Sequence, residues 1–315
     1  MRPKAVSDRK DSQGLEAQRA QLAKAVAARA HPDGVHATGI PGLSLYRRSS
    51  PTACTSATYE PTLIVFVQGR KRIDLGGTEL LCDASTFLLT SVDLPVVSQV
   101  TDATPEEPVL GLILQLDMSA VREILGQQEF RSTDTGCAMR GMALGTTSRE
   151  LLDACQRLIA LLDSPEDIPF LGNMLQREII YRILKGPQGK HLRAIATLGE
   201  QGNRTARAVA WLRANFSKPL RVEDLATAAH MGVSTFHHHF RSLTSMSPLQ
   251  YQKRLRLHFA RERILTAGLD AATAAFEVGY ESPSQFSREY RRFFGQPPMR
   301  DAKVHRGSSA ALAAD

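Results

Sequence analysis

The chain has 315 residues, enough for two domains with separate cores, and its 39 Lys and Arg outnumber its 32 Asp and Glu. No apolar run approaches the roughly 18–20 residues of a transmembrane helix, and no apolar stretch typical of a secretory signal follows the basic N-terminus. The four cysteines form no CxxC pair, which disfavours a zinc site and is typical of reduced thiols. We therefore expect a cytoplasmic protein without a metal, a cofactor or membrane contact.

The positive charge is concentrated in the C-terminal part of the chain. Residues 187–315 contain 19 basic and 10 acidic residues, whereas residues 1–186 contain 20 basic and 22 acidic residues. Such an imbalance is expected where a protein meets phosphates, although basic helices can also be simply solvated. The charge distribution alone leaves both interpretations open.

Residues 1–34 are expected to form an N-terminal arm, either mobile or an amphipathic helix. Short β-branched or apolar runs then alternate with turn signals, such as Asp93-Leu94-Pro95, across residues 35–117. Many short strands at close spacing predict a small β-barrel or jelly-roll. The predicted strands are 62–68, 71–75, 79–82, 86–90 and 110–116.

The pattern becomes helical after residue 118. Apolar residues at helical spacing predict one helix over 151–162 and a second over about 170–184. Two apolar helices beside a β domain could form a dimer interface or could be ordinary core. We predict one domain of strands and flanking helices over 35–186 and a linker over 187–203.

An internal repeat dominates the remaining sequence. The apolar triplet Phe236, Phe240 and Leu243 recurs in kind fifty residues later, and its spacing of four then three marks one face of a helix. A short Ala-rich amphipathic run and a tight turn precede each copy. A helix-turn-helix pattern that occurs twice predicts a tandem helix-turn-helix domain over 204–306. We expect a disordered tail over 307–315.

The two copies are joined by a predicted helix, Pro248–Thr266, that is rich in Lys and Arg. Its length of about 28 Å could hold the two units on successive turns of the major groove, which are about 34 Å apart. The fold class is therefore α+β with two domains, an N-terminal β-barrel flanked by helices and a C-terminal all-α domain with two helix-turn-helix units.

The second helix of each unit carries the candidate DNA-binding residues, because its apolar triplet points inward and the residues between point outward. Arg288 and Gln285 have the groups that bind guanine and adenine edges bidentately, whereas arginines later on each helix are better placed for phosphates. Each residue could alternatively lie on a solvated face. The candidate set is Ser234, Thr235, His237, His238, Arg241, Ser284, Gln285, Ser287, Arg288, Arg291 and Arg292.

Catalytic and metal signatures are weak. Consecutive helix residues point about 100° apart, so His237, His238 and His239 cannot converge on one ion. No nucleophile elbow, zinc-protease motif or dinucleotide fingerprint occurs. An enzyme built on a metal-dependent barrel would need clustered ligands, and His36 is the only histidine in 35–117. We therefore predict that the chain is not an enzyme.

Segment 208–306 resembles the DNA-binding domain of the AraC/XylS family of bacterial transcriptional regulators. The motifs that carry the resemblance lie at 222–226, 233–236, 247–251, 278–288 and 293–295. Two positions depart from the family pattern. His230 stands in the first turn where glycine is usual, and His238 stands where arginine is frequent, so the first unit is expected to read bases less strongly than the second.

The N-terminal part, including 59–62 and 68–71, resembles a subfamily with an AraC-type effector domain. The resemblance implies that 35–186 is an effector and dimerisation domain, a cupin-like barrel that senses a small molecule or electrophile and forms a homodimer. It also implies operator DNA and RNA polymerase as partners, in activation or repression. A domain that dimerises without sensing is the alternative.

Four thiols are candidate sensors, because thiolates react with oxidants and electrophiles. Burial within apolar patterns would instead make Cys82 and Cys155 inert. The thiols belong to Cys54, Cys82, Cys137 and Cys155.

Overall fold

The computed structural model describes residues 4–52, 54–90, 92–127, 141–196 and 200–311. Cys137 lies outside these ranges. Strands are confined to the N-terminal part and the C-terminal part is helical, which confirms the predicted α+β class. In the described ranges, none of the helices is both long and apolar enough to cross a membrane.

The strands of the described ranges form two antiparallel sheets, which together we call the barrel. One sheet has six strands in the order β1-β2-β9-β4-β7-β10, and the other has four in the order β3-β8-β5-β6. The strands are β1 Gly34–Ala37, β2 Leu43–Arg48, β3 Thr55–Tyr59, β4 Thr62–Gln68, β5 Arg70–Leu75, β6 Thr78–Asp83, β7 Thr86–Thr90, β8 Leu94–Asp102, β9 Val109–Gln115 and β10 Met142–Thr146.

The centre of the six-stranded sheet is buried on both faces. In β4, Leu63 and Val65 pack with the helices that cover one face, whereas Ile64 and Phe66 belong to the core shared with the other sheet. None of these four side chains is more than 6% exposed. Because alternate side chains of a strand point to opposite faces, a strand buried on both sides has a continuous apolar run, as 63–67 does.

One turn expectation is wrong. Leu94 and Pro95 begin β8, a nine-residue strand that lies between β3 and β5. Proline is tolerated at the start of a strand, where the missing N–H disrupts little of the ladder. The turn signal therefore marks the beginning of a strand.

In the described ranges five α-helices accompany the barrel, at Lys4–Ala27 (α1), Met118–Gln127 (α2), Arg149–Ala160 (α3), Ile168–Lys185 (α4) and Gly189–Ala196 (α5). The two predicted helices correspond to α3 and α4. The predicted arm contains α1, whose Leu22 and Val26 are fully buried in the same core as α3 and α4. The predicted linker contains α5 and the first residues of the next helix.

The C-terminal part contains two helix-turn-helix units, α7–α8 and α10–α11, joined by α9. The long helix α9 begins at a capping box, in which the Gln250 amide N–H donates to Ser247 Oγ (3.3 Å) and the Ser247 N–H donates to Gln250 Oε1 (3.0 Å). The helices are α6 Glu200–Ala214, α7 Val222–Ala228, α8 Val233–Thr244, α9 Pro248–Thr266, α10 Ala271–Glu277, α11 Pro283–Phe294 and α12 Pro298–Ala311.

Both turns depend on one residue in the left-handed backbone region, where side chains other than glycine are strained. This residue is Gly279 in the second unit, at φ 88°, and His230 in the first, at φ 51°. In each turn the following amide donates to the carbonyl oxygen five residues earlier, Met231 to Ala226 and Tyr280 to Ala275, both at 2.9 Å. The unusual histidine of the first turn is therefore held in a conformation suited to glycine.

Substituting His230→Gly is expected to raise the free energy of unfolding by about 0.5–1 kcal/mol, because it relieves this strain. Thermal unfolding of the full chain followed by circular dichroism measures the shift. The matched control is His239→Gly, the same exchange inside α8, which is expected to destabilise by about 1 kcal/mol. Destabilisation by both substitutions would contradict the strain at His230.

The barrel and the first unit share one hydrophobic core, in which Leu94 and Val96 of β8 join Phe236 and Phe240 of α8. Polar contacts surround it. The Tyr251 hydroxyl donates to the Asp93 carbonyl oxygen (2.7 Å), and the Arg213 guanidinium binds the carboxylates of Asp93 (2.6 Å) and Glu60 (2.8 Å). The barrel thus packs against the inward side of α8 and leaves its outward side uncovered.

Candidate nucleic-acid interface

Helix α8 presents a polar face opposite its buried triplet. Phe236, Phe240 and Leu243 are 0% exposed, so the residues between them must point away from the core. The N-cap residue of α8 is Gly232, which has no side chain that could accept a hydrogen bond from the first amides of the helix. Ser234, Thr235, His238 and Arg241 are exposed and His237 is half-buried.

Helix α11 presents the equivalent face of the second unit. Its first turn is closed by Ser282, whose hydroxyl accepts from the Gln285 amide at 3.3 Å, and Pro283 occupies the first helical position as predicted. Phe286 and Tyr290 are fully buried. Ser284, Gln285, Arg288, Arg291 and Arg292 are exposed and Ser287 is half-buried, so all eleven candidate residues lie at the surface.

The exposed arginines of these two faces are available to anions. Within the described ranges, no ion pair is formed by Arg241, Arg288, Arg291 or Arg292. An unpaired guanidinium on a helix surface can bind phosphate or a guanine edge without first breaking an internal contact. The geometry therefore suits both kinds of DNA contact.

The basic residues of α9 are largely bound within the molecule. Arg254 binds Asp74 of the barrel (3.4 Å), Arg263 binds Glu277 (2.8 Å), and Arg261 is buried. Arg256 donates to backbone carbonyl oxygens, including that of Phe216 at 2.8 Å. Helix α9 is therefore a structural connector whose charges are largely used inside the molecule.

Gln285 is held by a polar network that sequence reasoning missed. Its Nε2 donates to Glu289 Oε1 (3.3 Å), and Glu289 also binds Lys253 Nζ (3.0 Å) and the Tyr280 hydroxyl (2.9 Å). Burial opposes ionisation of Glu289, but the hydrogen bonds from Lys253, Tyr280 and Gln285 outweigh it and lower the pKa of this carboxyl. The network leaves the Gln285 carbonyl oxygen as an outward acceptor. The Gln285–Glu289 spacing of four residues was the available signal.

The histidine triplet does not form a compact cluster. The rings of His238 and His239 meet edge to face with centroids 5.7 Å apart. Across the described residues, no group of three or more His, Cys, Asp or Glu is arranged to hold a metal ion.

Two of the candidate sensor thiols are buried. Cys82 and Cys155 are 0% and 1% exposed, and burial raises the pKa of each thiol to about 12. A thiol that remains protonated is a poor nucleophile. Cys54 is exposed, in the segment that precedes β3.

The barrel encloses a cavity of about 790 Å³ between its two sheets. Its walls combine apolar side chains, including Ile64, Phe66 and Ile113, with Tyr46 and Lys71. This is the volume and mixed lining that small-molecule sites have in proteins.

Comparison with known proteins identifies both parts of the chain. Residues 39–191 match the family described as AraC-type transcriptional regulator N-terminus, and residues 225–303 match a helix-turn-helix domain family. The two matches together cover most of the chain. The chain belongs to the AraC family of transcriptional regulators.

Relatives at the sequence level are regulators of the same kind. HTH-type transcriptional regulator ArgR of Pseudomonas aeruginosa is 27% identical over 153 residues, which are 49% of this chain and 46% of that protein. HTH-type transcriptional activator RhaS of Pectobacterium carotovorum is 32% identical over 88 residues, 28% of this chain and 32% of that protein. The chain spans about half the length, or less, of the curated relatives it matches.

Solved structures share the fold over most of the chain. ToxT from Vibrio cholerae bound to an unsaturated fatty acid aligns with a TM-score of 0.50 and 11% identity, over 82% of this chain and 94% of ToxT. ToxT bound to (E)-4-(8-methylnaphthalen-1-yl)but-3-enoic acid aligns with a TM-score of 0.51 and 13% identity, over 79% of this chain and 93% of ToxT. At this identity the likeness concerns the fold alone.

Proposed function

We propose that this chain is a sequence-specific DNA-binding transcriptional regulator that places α8 and α11 in the major groove of an operator. The observation that carries the proposal is the pair of exposed polar faces, each opposite buried apolar side chains and each bearing arginines without ion pairs. The DNA-binding function is assigned to 204–306 and the regulatory function to 35–186. Because its relatives are named as regulators, we propose a role without catalysis.

Phosphate contacts give this proposal a quantitative test. Each phosphate neutralised by an arginine contributes about −0.9 to the slope of log affinity against log salt concentration. Arg291→Ala is therefore expected to reduce the steepness of that slope by about one and to weaken binding similarly on all sequences. Electrophoretic mobility shifts with a duplex selected from a random pool measure both. Affinity that does not change with salt would overturn the proposal.

We further propose that the barrel senses a small molecule in its cavity. The cavity volume and lining support this, as does the fact that the fold neighbour ToxT has been solved with bound organic acids. The non-sensing scaffold is the competing function. Ligand-dependent thermal stabilisation of the full chain would separate the two, since a scaffold shows no saturable stabilisation.

Homodimerisation is proposed through α4. Its Phe170 and Met174 are 74% and 57% exposed, and Leu171 beside them is 37% exposed, an unusual apolar surface for a monomer. A species of monomer mass at micromolar concentration in sedimentation would contradict a dimer. RNA polymerase is the further partner proposed for a cytoplasmic regulator of this family.

A further inference from the structure

Lys71 gives the barrel cavity a charge that the rest of the cavity does not neutralise. Lys71 belongs to β5 and lines the cavity beside Tyr46 and Tyr59, with Nζ 4.6 Å and 5.9 Å from the two ring centroids. Among the described residues, no carboxylate forms an ion pair with Lys71. An ammonium has three donors, so interactions with two tyrosines leave at least one for a ligand.

The other charged residues of the lining point to the same conclusion. Asp33 is paired with Arg47 at 3.5 Å, and Glu60 is paired with Arg213 at 2.8 Å. Arg48 also lines the cavity and is half-buried, and it forms no ion pair with a carboxylate in the described part of the chain. Both acidic groups are thus already neutralised, and the charge left inside the cavity is positive.

Lys71 retains its proton in this environment. Burial disfavours the charged form, but the electrostatic interactions and hydrogen bonds with Tyr59 and Tyr46 outweigh burial and raise the pKa of Lys71. A buried cation without a counter-ion is costly, and an anion that enters the cavity relieves that cost. The apolar wall formed by Ile64, Phe66 and Ile113 would accept the remainder of such a molecule.

We propose that the barrel cavity binds an organic carboxylate with an apolar body. The carboxylate would bind Lys71 and the hydroxyls of Tyr46 and Tyr59, and the apolar body would pack against the apolar wall. The proposal deepens the sensing role proposed above and rests on it. It names the class of effector and the residues that recognise it. Lys71 is the specificity-determining residue of the site.

The cavity also contacts the DNA-binding part of the molecule. Val304 of α12 lines the cavity. Helix α9 binds the segment before β3, at the edge of the cavity, because Arg261 Nη1 donates to the Cys54 carbonyl oxygen (3.0 Å). Arg261 in turn holds Asp301 of α12 (2.7 Å). The edge of the cavity is therefore linked through Arg261 and Asp301 to α11, because the Tyr290 hydroxyl donates to Asp301 Oδ2 (2.7 Å).

The test uses cis-parinarate, a fluorescent unsaturated fatty acid, and its uncharged methyl ester, titrated into the full chain in the absence of DNA. The acid is expected to bind saturably, and Lys71→Met, which keeps the length of the side chain, is expected to weaken it about ten-fold or more. The ester is expected to bind about ten-fold more weakly than the acid and to be indifferent to Lys71→Met. Lys24→Met, on the exposed face of α1, is the matched control and should change nothing.

Absence of saturable binding by the natural sequence, equal affinity for acid and ester, or an unchanged affinity in Lys71→Met would each overturn the proposal. Tyr59→Phe, which removes one hydroxyl, provides a second variant and should weaken the acid several-fold if Lys71→Met does not fold. Binding of DNA is measured separately. A chain that binds the acid but no DNA would refute the regulatory function and leave the carboxylate site standing.

Discussion

Replacement of Asp301 with alanine is expected to lower the free energy of unfolding by about 3–5 kcal/mol, the usual cost of breaking a buried ion pair by removing one partner. Asp301 Oδ2 accepts from Arg261 Nε at 2.7 Å, and Oδ1 accepts from Arg261 Nη2 at 3.1 Å. The Tyr290 hydroxyl also donates to Oδ2, at 2.7 Å. The side chains of the ion pair are 4% and 6% exposed, so water cannot replace the lost carboxylate.

The matched control is Glu277→Ala, which removes the exposed Arg263–Glu277 ion pair from the same part of the molecule. Both side chains of that pair are more than 40% exposed, so its loss is expected to cost less than about 1 kcal/mol. Urea unfolding of the full chain, followed by circular dichroism, compares the two substitutions. Equal costs would show that Arg261 and Asp301 are screened by water rather than buried.

A double substitution tests the origin of the cost. In Arg261→Met with Asp301→Leu no unpaired charge remains, so the double variant is expected to be more stable than Asp301→Ala alone. Recovery should be incomplete, because the Tyr290 hydroxyl and the Cys54 carbonyl oxygen each lose a partner. Since Tyr290 belongs to α11, the network also fixes the orientation of the proposed second reading helix.

The elements that sequence reasoning predicted well are those with local signals. Helix α9 begins at a Ser-Pro cap and follows helical spacing to Thr266, and β4 is a continuous apolar run bounded by turn residues. The repeat predicted both units because each apolar triplet occupies one face of its helix. Even the second turn has a local reason, since Gly279 adopts a positive φ.

The features that sequence reasoning missed depend on contacts between distant residues. Arg254 is neutralised by Asp74, and Arg213 is neutralised by Glu60 and Asp93, across separations that no periodicity connects. Helix α9 therefore looked like a basic surface although its charges are used internally. Lys71 could not be assigned to a cavity from the sequence around it, because the cavity exists only when the two sheets pack face to face.

Replacement of Arg288 with alanine is expected to weaken binding to a selected operator by about 1–3 kcal/mol, or roughly 5-fold to 150-fold, if Arg288 binds a guanine edge bidentately. Binding to unrelated duplex should change far less, because base contacts specify and phosphate contacts position. Fluorescence anisotropy with the two duplexes at one salt concentration measures the ratio. Arg122→Ala, an exposed arginine of α2 outside both helix-turn-helix units, is the charge-matched control.

His238, at the corresponding face of α8, is expected to contribute less than Arg288, because an imidazole cannot make the bidentate charged contact of a guanidinium. Equal losses of operator affinity for His238→Ala and Arg288→Ala would contradict this prediction and mean that the two units contribute equally to DNA binding.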